Sequence, residues 1–284
     1  NQFSEFSNHI GLHEVTSRAL EHHYLMAAEK HPGLKLAAFV AASGSAGTLA
    51  AGERLKSDYG ARIVAVEALE CPTMLYNGFG EHNIQGIGDK HVPLIHNVTN
   101  TDVVVAVSDR ACDELGVVFN TPEGASYLAD LGVNPSIISQ LGHFGLSGIC
   151  NVLAAIKTAK TLGLSAEDAI VTVATDGAEL YASEREAMAA NRYVDGFSSS
   201  DASTAVEEHL QGADSTHVEV LNEISRNRIF NLGYYTWVEQ QGIEFDNFEM
   251  RRDQKVWKHL QKLAPVWDEL IEEFNNQTGV LADR

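Results

Sequence analysis

The sequence predicts an α/β protein with a twisted, mostly parallel sheet flanked by helices and a helical C-terminal extension. The first observation is a continuous apolar run over 36–41, a glycine-rich turn, a helical pattern over 48–56 and a second apolar run over 61–68. Two strands joined through a helix lie parallel, with a right-handed crossover. The second observation is that this alternation continues to about residue 192, beyond which only helical patterns follow.

Each further element has its own local signal. Apolar residues at helical spacing predict the first helix, and His31-Pro32-Gly33 ends it. Later strands are short apolar runs, and later helices start at capping residues or at proline. The further predicted elements are a helix over 11–30, a strand over 102–107 followed by an N-cap at Ser108 or Asp109, a helix from Thr121, a helix over 146–162, a strand over 169–174 and a helix capped by Ser183 and Glu186.

The C-terminal part of the chain differs from the rest. The change falls at about Tyr193, and Ser198-Ser199-Ser200-Asp201 are predicted to form a linker. Val218, Leu221 and Ile224 have the spacing of an apolar helical stripe, and no strand is predicted here. The predicted domains are therefore a partial α/β domain over 1–192 and a helical extension over 193–284.

The composition excludes several classes of protein. With 20 basic and 39 acidic residues, the net charge of −19 disfavours a nucleic-acid partner, which requires clustered lysine and arginine. No apolar run reaches the length of about 18 residues that suggests a membrane span. Cys71, Cys112 and Cys150 lie outside any C-x-x-C pattern, which is typical of a reduced cytoplasmic protein. No metal site is predicted, since no metal-binding motif accompanies the histidines.

The strongest local signal is Phe39–Thr48, in which a strand ends in small residues and a helix begins. Backbone amides at such a helix start can bind a phosphate, and we call residues 43–48 the cradle turn. One interpretation is a dinucleotide site, because Ala42-x-Gly44-x-x-Gly47 matches G-x-G-x-x-G except at its first glycine. Glu67 would then bind the ribose hydroxyls of an NAD(P)-dependent oxidoreductase.

A second interpretation follows from several motifs taken together. Phe39–Thr48 resembles F-V-A-G-x-G-T-G-G-T, Asn1-Gln2-Phe3 resembles N-Q-F, and His82–Gly88 resembles H-K-I-Q-G-I-G. Gly145–Gly148 resembles G-I-S-S-G, one serine shorter. These blocks, in this order, are similar to those of the fold-type II pyridoxal-phosphate enzymes, in the cysteine synthase and cystathionine β-synthase group. The resemblance implies a tryptophan synthase β-like fold.

The resemblance also implies roles for individual residues. The phosphate of pyridoxal phosphate would bind at the cradle turn, and Ser147 would face the pyridine nitrogen. The implied reaction is β-elimination or β-replacement on a small amino acid, because a neutral hydroxyl leaves the ring a weaker electron sink. The implied cofactor-binding residues are Gly44, Ser45, Ala46, Gly47, Thr48 and Ser147, and the implied substrate-binding residues are Gln2, Gln85 and Gly86.

The catalytic lysine of that family has no match in this sequence. In the family it precedes the N-Q-F block, and no lysine from Lys30 to Lys262 has a comparable context. We therefore expect a C-terminal portion of the enzyme whose lysine precedes Asn1, and we name no catalytic residue. A non-catalytic subunit of the same fold is the alternative. The family suggests a homodimer, and His143 and Asp176 lie close to the site in sequence without an assigned role.

Overall fold

The computed structural model describes residues 1–88 and 90–281 and contains a five-stranded sheet in the order β4-β1-β2-β3-β5. Three of its strand pairs are parallel, and the β3–β5 pair is antiparallel. This confirms the predicted mostly parallel sheet. The strands are β1 Lys35–Ala42, β2 Arg62–Ala68, β3 Val103–Val107, β4 Asp168–Thr172 and β5 Val218–Val220.

Helices flank both faces of the sheet. The α-helices among the described residues are α1 Phe6–Lys30, α2 Gly47–Tyr59, α3 Thr73–Tyr76, α4 Asp109–Phe119, α5 Pro122–Asp130, α6 Pro135–Ile138, α7 Leu146–Leu162, α8 Ala182–Arg192, α9 Ser199–Val206, α10 Glu223–Tyr234, α11 Phe245–Glu249, α12 Gln254–Gln261 and α13 Leu263–Thr278. The β1-α2-β2 unit and α7 form where the sequence predicts them. The first helix begins at Phe6, earlier than the predicted residue 11.

Three local predictions are wrong. Val218 is not on a helix but in β5, which pairs with the edge of β3. Ser198 and Asp201 are not a linker, because their side chains form a capping box that starts α9. Ser183 does not cap α8, which begins at Ala182 after a 3₁₀ turn and without a side-chain cap. A tertiary pairing overrides the local pattern at Val218 and a preceding 3₁₀ turn does so at Ser183, whereas at Ser198 a local capping box starts a helix.

Alternating side chains of β1 enter two hydrophobic clusters, one on each face of the sheet. Phe39 lies in the first cluster with Phe230, Trp237 and Phe248 from the C-terminal part of the chain. Val40 lies in the second, which α4 and α7 cover. The segment after residue 192 therefore supplies both a strand and core side chains, although the division into two domains stays a prediction. Residues 282–284 of the predicted extension lie outside the described residues.

Within the part of the chain that the structure describes, no helix combines the length and the apolar character needed to cross a membrane.

Candidate active site

The cradle turn lies at the carboxyl end of β1, where parallel sheets place their ligands. Ala46, the residue that precedes α2, has φ 67° and ψ 4°, a left-handed conformation that favours glycine. This explains the glycine at the corresponding position of the resembling motif. Among residues 1–88 and 90–281, no acceptor receives a hydrogen bond from the amides of Gly44, Ser45 and Ala46. Three donors at the positive end of α2 therefore remain for an anion.

The His82–Gly88 loop packs directly against the cradle turn. The Gly88 amide donates to the Ser43 carbonyl at 2.8 Å, and a Cβ on Gly44 would lie 3.5 Å from the Gly86 carbonyl oxygen. Gly86 and Gly88 both have positive φ, so this tight path favours glycine. The side chain of Gln85 is exposed. Two motifs far apart in sequence thus form one surface.

Asp109 anchors the same loop, although its sequence context predicts only a helix-capping role. Its carboxylate accepts hydrogen bonds from the backbone amides of Asn83, at 2.5 Å, and Ile84, at 3.1 Å. Burial, the largest influence, raises the pKa of this carboxyl above its ordinary value. The sequence signal for this role is an acidic residue directly after a buried strand. The amides that Asp109 binds cannot be identified from the sequence, because only the tertiary structure brings them close to it.

The N-terminal block also reaches the cradle turn. Asn8 donates from Nδ2 to the Gln2 carbonyl oxygen and to Ser45 Oγ, both at 3.0 Å. A Cβ on Gly47 would lie 2.7 Å from the Asn8 side chain, so α1 packs tightly over the start of α2. The Gln2 side chain is exposed. Its assignment to substrate binding stays a prediction.

Ser147 lies at the start of α7, on the helix that contacts the end of β1. One turn further along α7, Asn151 accepts from the Ala42 amide and donates to the Val173 carbonyl, both at 2.8 Å. Ser147 is buried, and its Oγ lies 3.1 Å from Thr175 Oγ1. The fold therefore holds Ser147 at the same sheet edge as the cradle turn, and its role toward a cofactor stays a prediction.

The two residues without an assigned role have different surroundings. The Asp176 carboxylate accepts from the Tyr181 hydroxyl at 3.0 Å, and its carbonyl accepts from the Gly145 amide at 2.7 Å. Asp176 thus supports the turn before α7. His143 is exposed at the end of a 3₁₀ turn.

The dinucleotide interpretation fails at Glu67. Its two carboxylate oxygens accept hydrogen bonds from the amides of Met74, at 2.9 Å, and Leu75, at 2.8 Å. The residue is 3% exposed, and burial raises its pKa to about 7. Glu67 caps α3 from inside the protein and does not present an exposed carboxylate to ribose hydroxyls.

One cluster of the described residues has the composition of a metal site but the contacts of an ion-pair network. Glu114, Glu208 and His209 converge there. The Glu114 carboxylate already accepts hydrogen bonds from Arg110 Nε at 2.8 Å and His209 Nε2 at 2.9 Å. It also forms an ion pair with Arg192, whose Nε lies 2.5 Å away. Burial opposes ionisation, yet the hydrogen bonds from His209 and Arg110 lower the Glu114 pKa to about 2. Guanidinium groups therefore fill the positions that a cation would need.

A second buried polar cluster lies beneath the cradle turn. His9, Glu53 and His96 line a cavity of about 10 Å³ next to Ala46. His9 Nε2 is 3.8 Å from Glu53 Oε2, which accepts from Gln261 Nε2 at 2.8 Å. Burial raises the Glu53 pKa to about 7 and lowers the pKa values of His9 and His96 to about 4 and about 3. All three groups are thus held neutral in mildly acidic solution.

Glu53→Gln should make folding less sensitive to pH. Because the folded protein holds a proton on Glu53 that the unfolded chain releases above its ordinary pKa of 4.5, wild-type stability falls as pH rises from there to about 7. Between about pH 5 and about pH 8, urea unfolding should show the free energy of unfolding of the variant rising by about 2–3 kcal/mol relative to that of the wild type. The lowered pKa of His9 makes stability change with pH in the opposite direction. Both proteins contain His9, so its contribution cancels when their free energies of unfolding are subtracted. If the two free energies of unfolding differ by the same amount at both pH values, the raised pKa of Glu53 is contradicted.

Fold and site together have the character of a phosphate-binding α/β enzyme, and comparison with known proteins adds a sequence relation. No protein-family model matches the chain. Over 147 residues, or 51% of its length, the chain is 35% identical to cysteine synthase B of Campylobacter jejuni. This relation confirms the resemblance to the cysteine synthase group of fold-type II pyridoxal-phosphate enzymes. The matched part covers 42% of that cysteine synthase.

Two solved structures of similar proteins also match part of the chain. A hydrogen sulfide-producing enzyme from Fusobacterium nucleatum is 26% identical, with a TM-score of 0.48, over 65% of this chain and 49% of that one. O-acetylserine sulfhydrylase isoform 3 from Entamoeba histolytica is 23% identical, with a TM-score of 0.49, over 72% of this chain and 53% of that one. The chain thus spans about half the length of these relatives.

Proposed function

We propose that this chain forms the phosphate-binding side of a pyridoxal-phosphate enzyme that performs β-elimination or β-replacement on a small amino acid. The observation that carries the proposal is the set of three amides, at Gly44, Ser45 and Ala46, that donate to no described acceptor in a turn packed against the His82–Gly88 loop. A dianionic phosphate needs several such donors at a helix start. The donor set therefore fits the phosphate of this cofactor. The sequence relation to cysteine synthase B supports the reaction class.

The chain's own groups around the ring position suit this chemistry. When bound, the cofactor withdraws electrons from the amino-acid substrate. Ser147 offers a neutral hydroxyl in a hydrogen-bonded pair with Thr175, and the Asp176 carboxylate is engaged by Tyr181. A neutral partner at the pyridine nitrogen leaves that nitrogen unprotonated. Ser147 would thereby favour loss of a β-substituent over reactions that need a stronger electron sink.

Substrate and partner assignments follow from the same proposal. The exposed side chains of Gln2 and Gln85 and the backbone of Gly86 would bind the substrate carboxylate. We also propose a homodimer and a cytoplasmic location. The three cysteines are free and buried, which suits a reducing compartment. Light scattering during size-exclusion chromatography tests the oligomeric state, and a monomer at micromolar concentration would contradict the dimer.

Cofactor binding can be tested on this chain directly. Titration calorimetry with deoxypyridoxine phosphate, which lacks the reactive aldehyde, measures binding without reaction at lysines. We expect binding that inorganic phosphate competes away, and at least about tenfold weaker binding of deoxypyridoxine, which has no phosphate. Equal affinity for both compounds, or no binding, would contradict the proposed cradle.

The same preparation tests the prediction about lysine. After incubation with pyridoxal phosphate and reduction with borohydride, mass spectrometry should find no single lysine labelled specifically. A specific adduct at one lysine of the chain would show that residues 1–284 contain the catalytic lysine. It would also favour an active enzyme over the non-catalytic alternative, which the relation to cysteine synthase B does not favour.

A further inference from the structure

Asn8 connects the N-terminal segment to the cradle turn through both protons of its amide nitrogen. Nδ2 lies 3.0 Å from the Gln2 carbonyl oxygen and 3.0 Å from Ser45 Oγ. A carbonyl oxygen only accepts hydrogen bonds, so the nitrogen of the Asn8 amide must face it. The same nitrogen then also donates to Ser45, which determines the direction of that second bond.

This direction decides what the Ser45 hydroxyl can do. A serine hydroxyl has one proton to donate and two lone pairs that accept. In Ser45, Asn8 Nδ2 occupies one lone pair, and the Gly47 amide approaches Oγ at 3.5 Å. Within residues 1–88 and 90–281, the Ser45 hydroxyl donates to no acceptor. Its proton is therefore left for an external acceptor, next to the amides of Gly44 and Ala46.

The position of Asn8 is itself closely constrained. A Cβ on Gly47 would lie 2.7 Å from both Asn8 Oδ1 and Nδ2 and 2.7 Å from Leu12 Cδ1. The first turns of α1 and α2 therefore meet with no spare room. Asn8 is half-buried between them, and its hydrogen bond to the Gln2 carbonyl oxygen sets the orientation of its amide.

We propose that Asn8 is a positioning residue that holds the Ser45 hydroxyl as a hydrogen-bond donor to the phosphate group bound at the cradle turn. This inference rests on the proposed function and assigns a new role to a residue outside the predicted site. Asn8 acts through Ser45 and does not touch the ligand. A hydroxyl turned toward an anion forms a charge-assisted bond, which is stronger than a neutral one.

The test compares Asn8→Asp, Asn8→Ala, Ser45→Ala and the Asn8→Ala/Ser45→Ala double variant. Titration calorimetry measures affinity for inorganic phosphate, deoxypyridoxine phosphate and phosphate-free deoxypyridoxine. We expect Asn8→Asp to lose more than about tenfold in affinity for both phosphates, since its carboxylate accepts the Ser45 proton and repels the anion. Asn8→Ala should lose about three- to tenfold. Affinity for deoxypyridoxine should not change.

The double variant separates positioning from a general structural effect. If Asn8 acts through Ser45, adding Asn8→Ala to Ser45→Ala should cause no further loss of phosphate affinity. Ser7→Asp places a negative charge at the neighbouring exposed position and should have less than half the effect of Asn8→Asp on a logarithmic scale. Additive losses in the double variant would overturn the inference.

The outcomes also distinguish the inference from the proposed function. If the wild-type chain binds neither phosphate compound, both are overturned. If it binds both and Asn8→Ala or Ser45→Ala binds them equally well, only the positioning role is overturned. Ser45→Ala keeps the Asn8–Gln2 contact, so this variant tests the hydroxyl even if the Asn8 variants do not fold.

Discussion

Trp257→Ala is expected to lower the free energy of unfolding by about 3–5 kcal/mol, the usual loss for truncating a buried tryptophan. Trp257 lies on α12 and is 1% exposed. Its ring centroid is 4.8 Å from that of His9 and 5.7 Å from that of Phe6, and its Nε1 donates to the Arg251 carbonyl at 2.7 Å. The substitution removes ring contacts to α1 and leaves this buried carbonyl without its donor.

Urea unfolding followed by circular dichroism measures the effect. Trp267→Ala is the matched control, because Trp267 lies on α13 and is only half-buried. We expect the control to cost about 1 kcal/mol or less. Comparable losses for the two variants would show that α12 does not belong to the core around α1. A separate early transition in the wild type would instead support the predicted division of the chain after residue 192.

Gly47→Ala is expected to lower the affinity for deoxypyridoxine phosphate by at least about tenfold and to destabilise the fold by about 1–3 kcal/mol. The added Cβ would lie 2.7 Å from the Asn8 side chain and from Leu12 Cδ1. Either the start of α2 or the first turn of α1 must then move. Both movements displace the cradle amides or the Asn8–Ser45 hydrogen bond.

The chain provides a matched control on the same helix. A Cβ on Gly52 would lie 2.7 Å from Phe39 Cδ1, so Gly52→Ala introduces a comparable clash away from the cradle turn. We expect this variant to be destabilised to a similar extent while its affinity for deoxypyridoxine phosphate is retained. Calorimetry and urea unfolding measure the two quantities separately. Equal loss of affinity in both variants would indicate global destabilisation and not a local role for Gly47.

Much of the sheet was predictable because its signals are local. Parallel strands buried on both faces are continuous apolar runs, so β1, β2 and β3 were found from sequence to within one or two residues. β5 was not, because a three-residue strand has too few residues to show a period. Its pairing with β3 depends on the path by which the chain comes back to the sheet edge after α9.

The sequence by itself determined the order of the motifs, the strand-turn-helix geometry at 39–48 and the resemblance to the cysteine synthase group. These features depend on residues close together in the chain. Only the tertiary structure decided the surroundings of those motifs. It turned Glu67 inward as a cap for α3 and placed Asn8 against Ser45. Hydrogen bonds between residues 37 positions apart depend on how two helices pack, and local pattern does not contain that information.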